Sequence, residues 1–174
     1  MRLFRFITGY IVGIAVFGCL IPVIFVLISR SLDRLFNFSL IGNLTIRLII
    51  AVPIFILGLI FAIWSNVSLL LVGKGGPTDA FGVAVSPRTK HLVINGPYMY
   101  SRNPMVFGMM CVYLSIGIFL NSLACLIAWL ILISLVIIFL KKTEEKRLLK
   151  DFGDEFINYK KRVSMILPWS HLKI

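Results

Sequence analysis

The chain has 174 residues, of which 59% are hydrophobic and only 14% are charged, and its formal net charge is +11. Soluble domains are roughly half apolar and one-quarter charged, so this composition excludes an ordinary soluble protein and indicates a membrane protein. We expect a single domain over residues 1–174, because the length leaves no room for a separate soluble catalytic domain.

Four apolar segments are candidates for crossing a hydrocarbon core, which takes about 20 helical residues. They cover residues 6–28, 44–72, 105–119 and 123–140. The second is long enough to tilt or to bend at Pro53. The third is short, and it forms a hairpin with the fourth that turns at Asn121 and Ser122. The sequence therefore predicts an all-α, polytopic membrane bundle of about four transmembrane helices, with two spans in residues 1–72 and the rest in 73–174.

The basic residues lie mainly in three regions: before the first span, between the second and third, and after the fourth. With four spans these regions share one side of the membrane, which the positive-inside rule makes the cytoplasm. Three arginines in the first loop weaken this contrast. We predict cytoplasmic N- and C-termini in a bacterial or archaeal inner membrane, and no nucleic-acid partner.

A polar loop of about 30 residues lies between the second and third spans, and loops of that length are usually functional. It ends in the sequence GPYMYSRNP at residues 96–104. Gly96-Pro97 predicts a sharp bend, and Asn103-Pro104 predicts a helix start with a capping residue and proline at the first helical position. Arg102 then stands at the positive end of the helix dipole. Each Tyr or Arg alone is more typical of an interfacial belt than of a site.

After residue 140 the sequence predicts a C-terminal cytoplasmic amphipathic helix, which Gly153 breaks or kinks. The apolar positions at helix spacing are Leu148, Leu149, Phe152, Phe156 and Tyr159. A basic helix lying on anionic lipid is the simplest interpretation. It leaves the adjacent acids Glu144 and Glu145 unexplained, because a carboxylate near a membrane is costly unless a cation or donor satisfies it. Adjacent side chains project about 100° apart, so one acid is expected to be structural.

Two common cofactor patterns are not supported by the sequence. The glycine-rich residues 73–76 lack the strand and helix context of a nucleotide-binding loop. His91 and His171 have no Cys or second His at ligand spacing, so we expect no metal site.

The order GPYxxxR(H/N)P, an apolar hairpin and then EExxLxxxFGxxFxxYxxRVxxxLP resembles the isoprenylcysteine carboxyl methyltransferase and phospholipid methyltransferase family of integral membrane enzymes. The resemblance covers about residues 73–167, and it is specific because two separated motifs occur in order around a hairpin. It implies S-adenosyl-L-methionine as the methyl donor. It also implies a lipophilic acceptor, most simply the carboxylate of an isoprenylcysteine-like molecule or another lipid-like substrate.

In the family the segment before GPY and the RNP turn wrap the cofactor. The resemblance therefore implies cofactor-binding roles for Lys90, His91, Leu92, Val93, Tyr98, Asn103, Pro104, Met105, Val106 and Glu144. Arg102 matches the arginine of the motif, and Glu145 is the close support of Glu144. These two residues are the expected catalytic pair.

Departures from the family pattern leave the acceptor open. The family often has His at the position of Asn103 and Tyr at that of Val106. Leu140 stands where the isoprenylcysteine branch has an arginine implicated with the substrate, with Lys141 and Lys142 beside it.

Two other functions remain possible at this stage. One is a sterol-reductase-like oxidoreductase, in which the basic C-terminal residues would meet the 2′-phosphate of NADPH. The other is a non-catalytic membrane module that holds a lipid or a partner helix.

Overall fold

A computed structural model of the chain describes residues 2–36, 40–73, 79–80, 83–84, 89 and 91–168. Within these residues the α-helices are α1 (Arg2–Gly13), α2 (Ile21–Phe36), α3 (Leu44–Ser68), α4 (Pro104–Phe119), α5 (Leu123–Phe139) and α6 (Glu145–Arg162). Short π-helices join or extend them at Ile14–Leu20, Leu69–Gly73 and Leu140–Glu144. Between α3 and α4 lie a two-residue antiparallel pair, β1 (Asp79–Ala80) and β2 (Val83–Ala84), and a 3-10 turn, Gly96–Met99. The predicted all-α class is confirmed.

Three described helical stretches are long and apolar enough to cross a membrane, namely Ile7–Arg34, Leu44–Gly73 and Leu123–Arg162. Helix α4 is apolar but has 16 residues, about 24 Å at the helical rise, against a hydrocarbon core of about 30 Å. This confirms the predicted bundle, including its short third segment. Helix α3 continues through Pro53.

Helices α3 and α4 make the most extensive helix contact in the described structure. A methyl group on Gly108 would lie 2.6 Å from the backbone nitrogen of Ala62, and one on Gly58 would lie 2.6 Å from the carbonyl oxygen of Gly108. The two backbones touch only because both glycines lack a side chain. Such small-residue contacts hold helices together in membranes, where hydrophobic burial gives little preference for helix over lipid.

Helices α2, α4 and α5 share a second packing layer around Phe25, Tyr113 and Cys125. Its polar groups are satisfied within the bundle. The Tyr113 hydroxyl donates to the carbonyl of Phe17 at 2.7 Å, and the indole nitrogen of Trp129 donates to the carbonyl of Met110 at 2.8 Å. These bonds matter because the hydrocarbon core contains no water to replace them.

The turn between α4 and α5 lies where the sequence predicts it. Asn121 adopts a positive φ of 56°, and Ser122 caps α5 by accepting from the backbone nitrogen of Cys125 at 2.9 Å. The Asn121 side chain also accepts from the backbone nitrogens of Leu40 and Ile41 at 3.0 and 2.8 Å. The α4–α5 hairpin is thereby attached to the segment that precedes α3.

Helix α6 breaks at Gly153, which has φ 50° and ψ −125°, so the predicted break is confirmed. Beyond it the chain folds back. The buried residues Phe156, Tyr159 and Val163 then pack together, with Leu92, Leu148 and Phe152 against them. Leu149, about 100° around the helix from Leu148, is 46% exposed and lies outside this packed group.

Candidate functional site

The GPYMYSRNP segment forms the predicted bend against the end of α3. Gly96 has a φ of +64°, and a side chain there would meet Ser68 Oγ at 3.0 Å and Trp64 at 3.3 Å. The conformation and the close contact both require glycine. Pro97 and Tyr98 are buried in the 3-10 turn that follows. The bend therefore holds the next residues at the start of α4.

Residues 101–103 pair with the segment that follows α6. Ser101 and Ser164 form a parallel bridge. The backbone nitrogen of Arg102 donates to the carbonyl of Ser164 at 2.9 Å, and that of Asn103 donates to the carbonyl of Met165 at 3.1 Å. The two polar stretches that the sequence singled out therefore meet through their backbones.

Asn103 occupies the N-cap position of α4, as predicted, but its side chain makes no capping hydrogen bond. Its amide nitrogen instead donates to the carbonyl of Met165 at 3.0 Å, because the C-terminal segment lies within reach. The prediction for Pro104 is confirmed, since it occupies the first helical position of α4.

An ion cluster joins the two stretches a second time. Arg102 Nη1 donates to Glu145 Oε1, and Arg102 Nε donates to the carbonyl of Val163 at 3.0 Å. Lys160 Nζ lies 2.5 Å from Glu145 Oε2. The Arg102 and Glu145 side chains are 9% and 11% exposed, whereas Lys160 is 50% exposed. Both Glu145 oxygens thus bind cations in a nearly buried setting.

Glu145 lies beyond the apolar residues 123–140 of its helix. Burial by itself raises the pKa of Glu145, but the Lys160 hydrogen bond and the Arg102 and Lys160 charges outweigh it and lower the pKa. Glu145 is therefore ionised at neutral pH. The cluster consists of one anion held between two cations.

Glu144 has a different partner from its neighbour, as the 100° separation predicts. Its Oε2 lies 2.5 Å from Nη2 of Arg147 on the same helix, and about one-fifth of each side chain is exposed. Glu144 is thus the more exposed acid of the pair, and it binds one cation where Glu145 binds two.

Tyr98 contacts the end of α6. Its carbonyl accepts from the Tyr159 hydroxyl at 2.7 Å. Burial first, and then the neighbouring Tyr159 and Glu144, raise the pKa of the Tyr98 phenol far above its ordinary value. Tyr98 therefore stays protonated at neutral pH and cannot act as a general base there.

The remaining predicted site residues lie around this centre. His91 is exposed, Val93 is buried, and Leu92 packs against the α6 cluster. Met105 accepts from the Asn66 amide of α3 at 3.2 Å, and Val106 packs against the core around Tyr113. Lys90 lies outside the described residues.

Sequence reasoning missed Lys160 and the carbonyls of residues 163–165. No local pattern could have identified them, because Lys160 reaches Glu145 across 15 positions only after the chain reverses at Gly153. It also missed Asn66, whose amide contacts Met105. A polar residue inside an apolar helix could have been recognised from the sequence.

The fold and this centre define a polytopic membrane protein with an ion cluster where α4 begins and α5 ends. Residues 46–155, well over half of the chain, match the phospholipid methyltransferase family. The chain belongs to this family of membrane methyltransferases that act on lipid-like substrates. No match was found among curated proteins or among solved structures.

The family match confirms the resemblance and changes its extent. It begins within α3, whereas the motifs alone suggested a start near residue 73, and it ends before Lys160. Helix α3 thus belongs to the matched region, in keeping with its close contact with α4.

Proposed function

We propose that this chain transfers a methyl group from S-adenosyl-L-methionine to a lipophilic acceptor, the carboxylate of an isoprenylcysteine-like molecule or another lipid-like substrate. Membership of the phospholipid methyltransferase family supports methyl transfer. The observation that carries the site is the Arg102–Glu145 pair, because it joins both motifs where the apolar helices end.

The chemistry of the donor set fits this cofactor. S-adenosyl-L-methionine carries an amino group and a sulfonium, both cationic, and Glu144 presents a partly exposed carboxylate that could bind a cation. Tyr98 lies near enough for the Glu144 charge to raise the pKa of its phenol, and Leu92 packs against the end of α6 that contains Tyr159. We assign the cofactor contacts to Leu92, Val93, Tyr98 and Glu144, together with Lys90, His91, Asn103, Pro104, Met105 and Val106. When bound, the cofactor supplies a methyl group on positively charged sulfur.

The residues of the chain would act mainly by positioning. Bringing two reactants into line can contribute about 7–11 kcal/mol to lowering a barrier. A carboxylate acceptor is already nucleophilic and needs no base, which agrees with the protonated state of Tyr98. Arg102, held at the start of α4 by Glu145 and Val163, would orient an anionic acceptor.

The same proposal sets the arrangement in the membrane. The lipophilic acceptor enters from the bilayer, and the polar cofactor enters from the cytoplasm, where we place both termini. We further propose that residues 1–174 act as one domain in a bacterial or archaeal inner membrane. The distribution of basic residues around the spans supports this orientation.

Binding of labelled S-adenosyl-L-methionine to protein purified in detergent tests the proposal. We expect Glu144→Ala to weaken binding at least about tenfold, because a lost charged hydrogen bond is worth about 1.5–3 kcal/mol. Glu155→Ala, which removes an exposed acid from the same helix, should bind as the wild type does.

Three results would overturn the assignment in different ways. Absence of wild-type binding would exclude this cofactor. Protection from heat by NADPH and not by S-adenosyl-L-methionine would favour the oxidoreductase. Unchanged cellular function of Glu144→Ala and Arg102→Met would favour the non-catalytic module. Mass spectrometry of lipid extracts incubated with methyl-labelled cofactor would then identify the acceptor.

A further inference from the structure

The reversal at Gly153 returns the end of α6 to the membrane edge. In a straight helix, residues 145 and 160 would lie about 22 Å apart. Instead, Lys160 Nζ lies 2.5 Å from Glu145 Oε2. Glu145 follows the apolar residues 123–140 by a little more than one helical turn. The chain at residues 160–162 therefore lies close to where the transmembrane part of α5 ends.

The hydrogen bonds of neighbouring residues also place the end of α6 close to the membrane edge. The Tyr159 hydroxyl bonds the carbonyl of Tyr98, and Ser164 pairs with Ser101. Residues 98–101 directly precede α4, which packs beside α3 and α5. The end of α6 is thus fixed beside two helices that run into the apolar layer.

This geometry sorts the exposed charges of the C-terminal region by distance from the membrane. The exposed cations near its edge are Lys141, Lys142, Lys146, Lys161 and Arg162. We call these five residues the basic collar. The exposed acids Asp151, Asp154 and Glu155 flank the break at Gly153. Along the helix Asp151 lies about 13–15 Å from Lys141 and Lys142, and beyond the break Glu155 lies about 9 Å from Lys161.

Those separations exceed the Debye length of about 8 Å at physiological ionic strength. Lys150 is also exposed, but it lies beside Asp151, about 15 Å beyond residue 140, and is therefore left out of the collar. The acids therefore do little to offset the collar at the membrane surface, although they offset it in the net charge. Lys160 and Arg147 are excluded from the collar because carboxylates already pair with them. The collar residues are exposed and lie next to apolar helix surface, where lipid headgroups would lie.

We propose that the basic collar binds the headgroups of anionic phospholipids at the membrane edge beside the Arg102–Glu145 pair. Cations close to a bilayer attract anionic lipid strongly, and the attraction falls off within a Debye length. The position of each charge, and not the sum of +11, then determines lipid preference. This inference concerns the surface of the protein and stands whether or not the proposed methyl transfer is correct.

The test uses the full chain reconstituted in phosphatidylcholine vesicles that contain spin-labelled lipids. Electron paramagnetic resonance gives the association constant of phosphatidylglycerol relative to phosphatidylcholine. We expect wild type to prefer phosphatidylglycerol, and the preference to fall with added salt. Near the surface each such cation contributes about a factor of five to binding of anionic lipid. Replacing Lys141, Lys142, Lys146 and Lys161 together by Gln should therefore reduce the preference for phosphatidylglycerol at least about fivefold.

A matched variant separates position from net charge. It carries Asp151→Asn, Asp154→Asn and Glu155→Gln, and we expect its lipid preference to equal that of wild type. An increase comparable to the loss in the lysine variant would mean that net charge alone acts, and would overturn the proposal. An unchanged preference in the lysine variant would overturn it as well.

Loss of folding cannot imitate the expected result if two further variants are included. Replacing the same four lysines by Arg should keep the preference, because the charge stays in place. The paired variant Lys141→Gln with Lys142→Gln should lose part of it. If the Arg variant lost the preference as fully as the Gln variant, charge would not be the cause.

Discussion

Removing the charge of Glu145 should destabilise this protein far more than removing the charge of Lys160, although the two groups form one ion pair. Glu145→Gln leaves Arg102 almost buried without its carboxylate partner. Lys160→Met leaves Glu145 paired with Arg102, and the ammonium that it removes is already half exposed. The two substitutions therefore differ in what remains behind.

The expected magnitudes follow from this difference. Breaking a buried ion pair by removing one partner costs about 3–5 kcal/mol, because an unpaired charge is left behind. About one-tenth of each side chain still meets solvent here, so we expect about 3 kcal/mol for Glu145→Gln. An exposed pair is worth about 0.2–1 kcal/mol, which is the expected loss for Lys160→Met.

The measurement is the apparent Tm in detergent, followed by a thiol-reactive dye or by the loss of soluble protein on heating. We expect the fall in Tm for Glu145→Gln to be at least about three times that for Lys160→Met, in proportion to these energies. Glu155→Gln, which changes an exposed acid on the same helix, should alter the free energy of unfolding by less than about 0.5 kcal/mol and so leave Tm nearly unchanged.

The dependence on pH gives a second readout. Because the pKa of Glu145 is lower in the folded chain than in the unfolded one, its contribution is complete above the ordinary glutamate pKa and is lost as the pH falls through the folded value. The difference in Tm between wild type and Glu145→Gln should therefore shrink on acidification. Equal Tm values for the two variants at neutral pH, or a difference that grows in acid, would refute the reasoning.

Two glycine substitutions test the packing that positions the site. Gly108→Ala should destabilise the bundle by about 1–3 kcal/mol, because its methyl group would lie 2.6 Å from the backbone of α3. The control Gly42→Ala should be neutral, because no atom lies within 4 Å of the added methyl group. Equal Tm values for the two variants would contradict the close α3–α4 contact. Gly153→Ala should cost about 1–3 kcal/mol from backbone strain alone, since its φ is +50° and nothing lies within 4 Å of an added methyl group. Retention of the wild-type Tm in Gly153→Ala would mean that the helix does not break there.

Much of the helical framework could be predicted from the sequence because its signals are local. Apolar length marks the spans, and Asn121 and Ser122 mark the hairpin turn. Gly96-Pro97 and Gly153 mark the bend and the break, because each residue restricts or frees its own backbone. The two polar stretches stand out against their apolar surroundings for the same reason.

Local patterns place a residue on an element but do not give its partner. Asn103 lies at the N-cap position that the sequence predicts, yet its side-chain amide donates to the carbonyl of Met165, 62 positions away, instead of capping α4. Leu149 shares the apolar spacing of its neighbours, yet its side chain is 46% exposed. Short-range rules are insufficient where a distant segment decides the contact.

The amino-acid sequence by itself determined that this is a helical membrane protein with a short third span and two polar stretches flanking an apolar hairpin. Only the tertiary structure decided that Glu145 binds both Arg102 and Lys160, and that α3 and α4 touch through Gly58 and Gly108. Spans and turns depend on a few consecutive residues. Pairings between distant residues depend on how the whole chain reverses, and no stretch of sequence contains that information alone.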